Sequence, residues 1–111
     1  MREIKLKIDQ RFNVRIVLLE YLRAHNIGEF YEKNIKAEDK TITVFAFETV
    51  YKKTAFYGGR GIHYDVTATI TLIVSEKRDS TAVAFILPSD APNDALNAFD
   101  LKLKDNGFRY I

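Results

Sequence analysis

The chain has 111 residues, 17 basic and 15 acidic side chains, and no cysteine. Such a length fits one domain, 1–111, and the missing cysteines exclude a disulfide framework, cysteine-ligated zinc or iron–sulfur centres and thiol catalysis. Apolar residues make up 47% of the chain, enough for a packed core. No run approaches the roughly 18 apolar residues that cross a bilayer, and residues 1–8 alternate instead of forming a signal-peptide core. A soluble, cytoplasmic protein with no membrane contact is expected.

Residues 3–8 alternate strictly, with Ile4, Leu6 and Ile8 against Glu3, Lys5 and Lys7, which predicts a half-buried strand. Asp9 stands where a helix N-cap belongs. Gln10 to His25 has neither Gly nor Pro, and Phe12, Ile16, Leu19 and Leu22 form a stripe widened by Val14, Val17, Leu18 and Tyr21. Asn26 and Gly28 supply the stop. Phe30 to Ile35 is a short strand, and Lys36 to Lys40 its turn.

Residues 41–57 and 62–74 are rich in Thr, Val, Phe and Tyr and flank Gly58-Gly59. A Gly-Gly pair suits a type I′ hairpin tip, where both central residues need positive φ. With that tip, Phe45 faces Leu72, Phe47 faces Ile70, Thr49 faces Ala68 and Tyr51 faces Val66 on one face. Lys52 faces Asp65 on the other. Lys77 to Ser80 is a second turn, placing Val74 opposite Val83, Leu72 opposite Phe85 and Ile70 opposite Leu87. Asp90 is the expected N-cap of a second helix with Pro92 in its first turn. Leu96, Phe99 and Leu103 form its stripe beside Ala95, with Asp94, Asn97, Asp100 and Lys104 mostly away from it. Asn106-Gly107 ends it, and Phe108 to Ile111 is a last strand. The order is β-α-β-β-β-β-α-β. It predicts an α+β two-layer sandwich with a mainly antiparallel sheet, two helices on one face and a long projecting β-hairpin. The nearest common architecture is ferredoxin-like with an added strand.

Charge is segregated along the chain. Arg2, Lys5, Lys7, Arg11, Arg15 and Arg23 outweigh Glu3, Asp9 and Glu20 in residues 1–23, and Lys52, Lys53 and Arg60 stand without an acid in residues 52–63. The catalytic inventory is thin. Phosphate-binding loop, zincin and nucleophile-elbow patterns are absent, and no acidic spacing matches a calcium loop. His25 fits a helix C-terminus. His63 and Asp65 share a strand face, but no nucleophile or oxyanion donor accompanies them, so no catalytic residue is assigned. Gly58 to Gly61 fits G-x-x-G, yet strands flank it where a KH domain has helices. Arg60 to Tyr64 departs from an RNP1 motif at Ile62 and His63. No metal site or cofactor is expected.

Two surfaces remain. In a hairpin arm of about residues 50–65, Lys52, Lys53, Phe56, Tyr57, Arg60, His63 and Tyr64 lie close together with Tyr51. Cations neutralise phosphates and aromatic rings stack on bases, so this set predicts contact with an anionic partner, foremost nucleic acid. A small, non-enzymatic binding or regulatory protein is the leading expectation. The alternative is a protein-interaction module or homo-oligomer. It would use the sheet face opposite the helices, where Val44, Ala46, Thr71, Ile73 and Ala84 are the predicted interface.

Overall fold

The computed structural model describes residues 1–91 and 96–111. The elements are β1 (Arg2–Ile8), α1 (Val14–Ala24), β2 (Tyr31–Lys36), β3 (Thr41–Tyr57), β4 (Arg60–Glu76), β5 (Thr81–Leu87), α2 (Asn97–Asp105) and β6 (Arg109–Tyr110). The six strands form one sheet in the order β2-β3-β4-β5-β1-β6, and every pairing is antiparallel. The element order and α+β class therefore follow the expectation.

The long hairpin has the register set by its glycines. Thr41 pairs with Glu76 and the ladder runs unbroken to Tyr57 and Arg60. Gly58 and Gly59 have φ of 56° and 82°, the positive values a two-residue tip demands. Phe45 faces Leu72, Phe47 faces Ile70 and Tyr51 faces Val66. The second hairpin has the expected register, Val74 with Val83 and Leu72 with Phe85, and closes through the Lys77 N–H to the Ser80 carbonyl at 2.9 Å. Its ladder ends at Thr71 and Ile86, one residue short of the expected Ile70–Leu87 pair.

One hydrophobic cluster fills the space between the sheet and the helices. Leu6, Phe45, Phe47, Ile70, Leu72, Val74, Val83 and Phe85 supply the sheet side, with Val14, Val17, Leu18, Tyr21, Leu22, Phe99 and Leu103 from the helices. Tyr21 joins the layers. Its ring lies 5.9 Å from Phe47 and 5.4 Å, edge-on, from Phe99. Phe85 meets Phe99 edge-on at 5.1 Å. Each such buried ring is worth several times the roughly 1 kcal/mol of an edge-to-face pair, so area burial dominates the layer contact.

Helix α1 differs from expectation at both ends. It starts at Val14, with Asn13 at the N-cap making no side-chain cap bond, so neither Gln10 as the start nor Asp9 as the cap holds. The cause is Thr81, which is fully buried. Its hydroxyl accepts the Phe12 N–H at 2.9 Å and donates to the Gln10 carbonyl at 3.0 Å. Those backbone groups are satisfied across 70 residues of sequence and have no need of a helical turn. Asp9 pairs with Arg109 and Lys7. With Phe12 outside the helix, the buried stripe becomes Val14, Val17, Leu18, Tyr21 and Leu22, and Ile16 is 56% exposed. The stop is Asn26 at φ 56°, not Gly28. The Ile27 N–H reaches the Leu22 carbonyl at 2.8 Å and the Asn26 N–H that of Arg23 at 3.2 Å, the two bonds of a Schellman motif. Gly107, at φ 104°, ends α2 in the same way, with the Phe108 N–H on the Leu103 carbonyl.

Helix α2 starts at Asn97, later than the expected start near Pro92, and Leu96 occupies the N-cap. Asp90 is not its cap, because its carboxylate is held by Lys53 and Tyr51. Pro92, Asp94 and Ala95 lie outside the described residues. Leu96, Phe99 and Leu103 are buried as expected.

Candidate functional site: the hairpin arm and the open sheet face

Strand β2 pairs with β3 only from Thr41 to Ala46, and β5 pairs with β4 only from Thr71 to Glu76. Phe47–Tyr57 and Arg60–Ile70 therefore form a two-stranded ribbon with no strand on either edge among the described residues. Phe47, Tyr51, Ala68 and Ile70 at its base are still buried under the helical layer. From Lys52 and Asp65 outward no residue is buried. The ribbon makes the protein long, 57 Å against 26 and 24 Å in the other directions.

Strand alternation divides the arm into two faces. Lys53, Tyr57, Arg60 and Tyr64 lie on the helix side with Ala55 and Ile62; Lys52, Phe56 and His63 lie on the other with Thr54 and Asp65. The residues expected in one cluster thus form two groups back to back, Lys53 and Arg60 with Tyr57 and Tyr64 on one face and Lys52 with Phe56 and His63 on the other. Phe56 is 76% and Tyr57 68% exposed at the tip.

The cations are not equivalent. Lys53 forms an ion pair with Asp90, from the segment after β5, and the Tyr51 hydroxyl donates to the same carboxylate at 3.3 Å. Lys52 faces Asp65 across the ladder without an ion pair within 4 Å, and Arg60 has no ion pair among the described residues. His63 lies with Nδ1 3.0 Å from the Thr54 hydroxyl, within hydrogen-bond distance, so its ring is tied across the hairpin and not to Asp65. Among the described residues no group of three or more His, Asp or Glu side chains comes together to hold a metal ion.

The face opposite the helices is built by β3, β4 and β5. Val44 pairs with Ile73, Ala46 with Thr71, and Ile73 with Ala84, so the five expected interface residues are contiguous. All five are half-buried, with Ile42 and Ile86 extending them. Charges rim the patch: Glu3, Lys5 and Lys7 on β1 and Lys33 on β2. No helix among the described residues crosses over it, and none is long and apolar enough to cross a membrane.

Two features had no sequence signal. The Thr81 clamp joins positions too distant for any local pattern. A groove of about 850 Å³ runs where β2 begins, lined by His25 to Tyr31, Ala46 to Val50 and Thr67. Away from the arm, burial pushes the Tyr21 phenol above its ordinary value against an opposing hydrogen bond with Thr49. Lys104 is also raised, first by its hydrogen bond to Tyr110 and then by Asp100. No known protein family matches the chain, and no curated protein or solved structure matches it either.

Proposed function

We propose that this is a small, non-enzymatic binding or regulatory protein whose β3–β4 arm contacts an anionic partner, foremost nucleic acid. The reading rests on the arm's two faces, each of which carries exposed aromatics and a cation outside the ion pairs described above: Lys52 with Phe56 and His63, and Arg60 with Tyr57 and Tyr64. No residue of the arm from Lys52 to Asp65 is buried, so each face can meet phosphates and bases. Lys52 and Arg60 would neutralise phosphates while the aromatics stack or pack. Lys53 contributes less, because Asp90 already compensates it. We read the scaffold as one domain of ferredoxin-like kind: strands β6-β1-β5-β4 in that order, with two strands, β2 and β3, added at one edge in place of the single added strand expected.

Fluorescence anisotropy with mixed DNA and RNA pools tests the function. Wild type should bind at low ionic strength and weaken with salt, each neutralised phosphate contributing about −0.9 to the log–log slope on duplex DNA. Replacing Lys52 and Arg60 with Ala should abolish binding without moving the melting temperature, since exposed charges add little stability. Lys53→Ala alone should weaken binding less. Absence of salt-dependent binding by the wild type would sink this reading.

A second reading is favoured by the contiguous apolar patch of Val44, Ala46, Thr71, Ile73 and Ala84 with its charged rim, the layout of a protein interface. Self-association through it should be broken by Ala46→Lys, which would bury a charge without a partner.

A further inference from the structure

The outer edge of β4 is neither of these faces. Arg60–Ile70 has no ladder neighbour on that side among the described residues. Its register is continuous, without a bulge, and it holds no proline. An edge of this kind turns the N–H and C=O of every second residue outward, a template for another strand. Ile62 and Tyr64 are 47% and 45% exposed along it on the helix side, with His63 and Asp65 exposed on the other. The free edge of β3 differs in carrying the adjacent Lys52 and Lys53, and lysine is a residue that discourages edge pairing.

We propose that the β4 edge pairs antiparallel with the same edge of a second copy of this chain, about a two-fold axis at Tyr64. His63 of each copy then faces Asp65 of the other. The register is constrained. Opposed residues of antiparallel neighbours point the same way, so the axis must pass where one residue meets itself. An axis at His63 sets each histidine against its own copy and forfeits both His63–Asp65 pairs, and one at Asp65 opposes two carboxylates, which is unfavourable. An axis at Val66 carries Gly61 of the second copy into the line of β5, which begins its pairing at Thr71. An axis at Ile62 shortens the ladder to residues 60–64. At Tyr64 the ladder runs from Arg60 opposite Ala68 to Ala68 opposite Arg60, within the free edge.

This register is chemically self-complementary. On the helix side Ile62 meets Val66 twice and Tyr64 meets Tyr64, so exposed apolar side chains are covered. On the other side two His63–Asp65 pairs form. Thr54 engages Nδ1 of His63 within its own hairpin, which leaves the second ring nitrogen for the facing carboxylate. Lys52, opposite Asp65 in its own chain, flanks each pair. The resulting four-stranded ribbon displays Lys52 and Phe56 twice on one face and Tyr57 and Arg60 twice on the other. Contact with an anionic partner falls to these residues, while His63 and Tyr64 lie in the seam. The dimer does not depend on nucleic-acid binding and forms without it.

Sedimentation of the protein alone tests it. Wild type should sediment as a dimer. His63→Glu sets two acids against Asp65, and Asp65→Lys sets two cations against His63. Each should lower the association constant at least about tenfold, because the two-fold axis makes every substitution remove two cross-strand pairs at once. The double variant His63→Glu/Asp65→Lys should recover most of the loss, as both pairs become Glu–Lys. Should the Asp65→Lys arm be disturbed by Lys52, Ile62→Asp serves instead: it sits at an exposed position and should give a folded monomer by facing Val66 with an unpaired acid. Ala46→Lys should leave the dimer intact. A monomeric wild type, a dimer indifferent to all of these changes, or single losses that the double variant does not restore would overturn the proposal. So would a dimer broken only by Ala46→Lys.

Discussion

Along β3 and β4 one period-two pattern runs from the body of the sheet to the tip, yet burial follows it only part of the way. In β4 every second residue from Ala68 to Val74 is buried, and in β3 Phe45, Phe47 and Tyr51 are buried with Thr49 between them half-buried. Further out, Ala55, Tyr57, Ile62 and Tyr64 continue on the same face of the ribbon and none is buried. The ladder is the same in both halves, and what differs is the second layer. A strand's alternation sets which face a side chain occupies, and a helix or another sheet decides whether that face is dry. The inner half derives its order from burial; the outer half has its ladder and cross-strand contacts alone, worth roughly 0.2–1 kcal/mol each.

The contrast is tested most strongly at Phe47. It is 3% exposed, pairs with Ile70 and meets the Tyr21 ring. Phe47→Ala should cost about 3–5 kcal/mol in urea unfolding. Its neighbour Glu48 points to the opposite face and is exposed, so Glu48→Ala should cost under about 0.5 kcal/mol. Comparable costs for the two would mean the register does not hold in solution. Tyr57→Ala, on the face of Phe47 but beyond the helical layer, should resemble Glu48→Ala in global stability.

What could be read from the sequence follows the same division. The hairpin register was legible because Gly58-Gly59 fixes the tip and period two fixes all pairs below it. The α2 stripe was legible because Leu96, Phe99 and Leu103 hold helical spacing. The start of α1 was not, because a hydroxyl from β5 takes up the Gln10 and Phe12 backbone groups. Local pattern made Asp9 a good cap; the tertiary bond made it unnecessary. Among the candidate site residues, the sequence placed the aromatics and cations in one stretch, and the pleat then divided them between faces. The commitment of Lys53 to Asp90 also lay beyond local reasoning, since the partner arrives from after β5.

Two glycines sharpen the comparison, since both have positive φ and only their surroundings differ. Gly107 ends α2 at φ 104°, and a Cβ there would lie 3.2 Å from Cδ1 of Ile8, a core residue. Gly107→Val should cost roughly 1–3 kcal/mol of global stability, because backbone strain of that order adds to crowding against β1. Equal urea midpoints for Gly107→Val and wild type would mean that the C-terminal turn is not coupled to the core.

Gly59 carries a similar backbone demand at φ 82°, but a Cβ there would meet nothing within 4 Å. Valine resists that conformation, so the strain in an intact tip is again roughly 1–3 kcal/mol. The chain need not bear all of it. With no buried residue from Lys52 to Asp65, the tip can rearrange while Phe47, Tyr51 and Ile70 stay packed. The global cost cannot exceed the free energy that orders the tip, which lies at the low end of local stabilities. Gly59→Val should therefore leave the urea midpoint of the body nearly unchanged while speeding amide hydrogen exchange from Phe56 to Gly61. If it instead lowers global stability as much as Gly107→Val, arm and body unfold as one unit, and the ribbon's outer half draws on interactions beyond its own ladder.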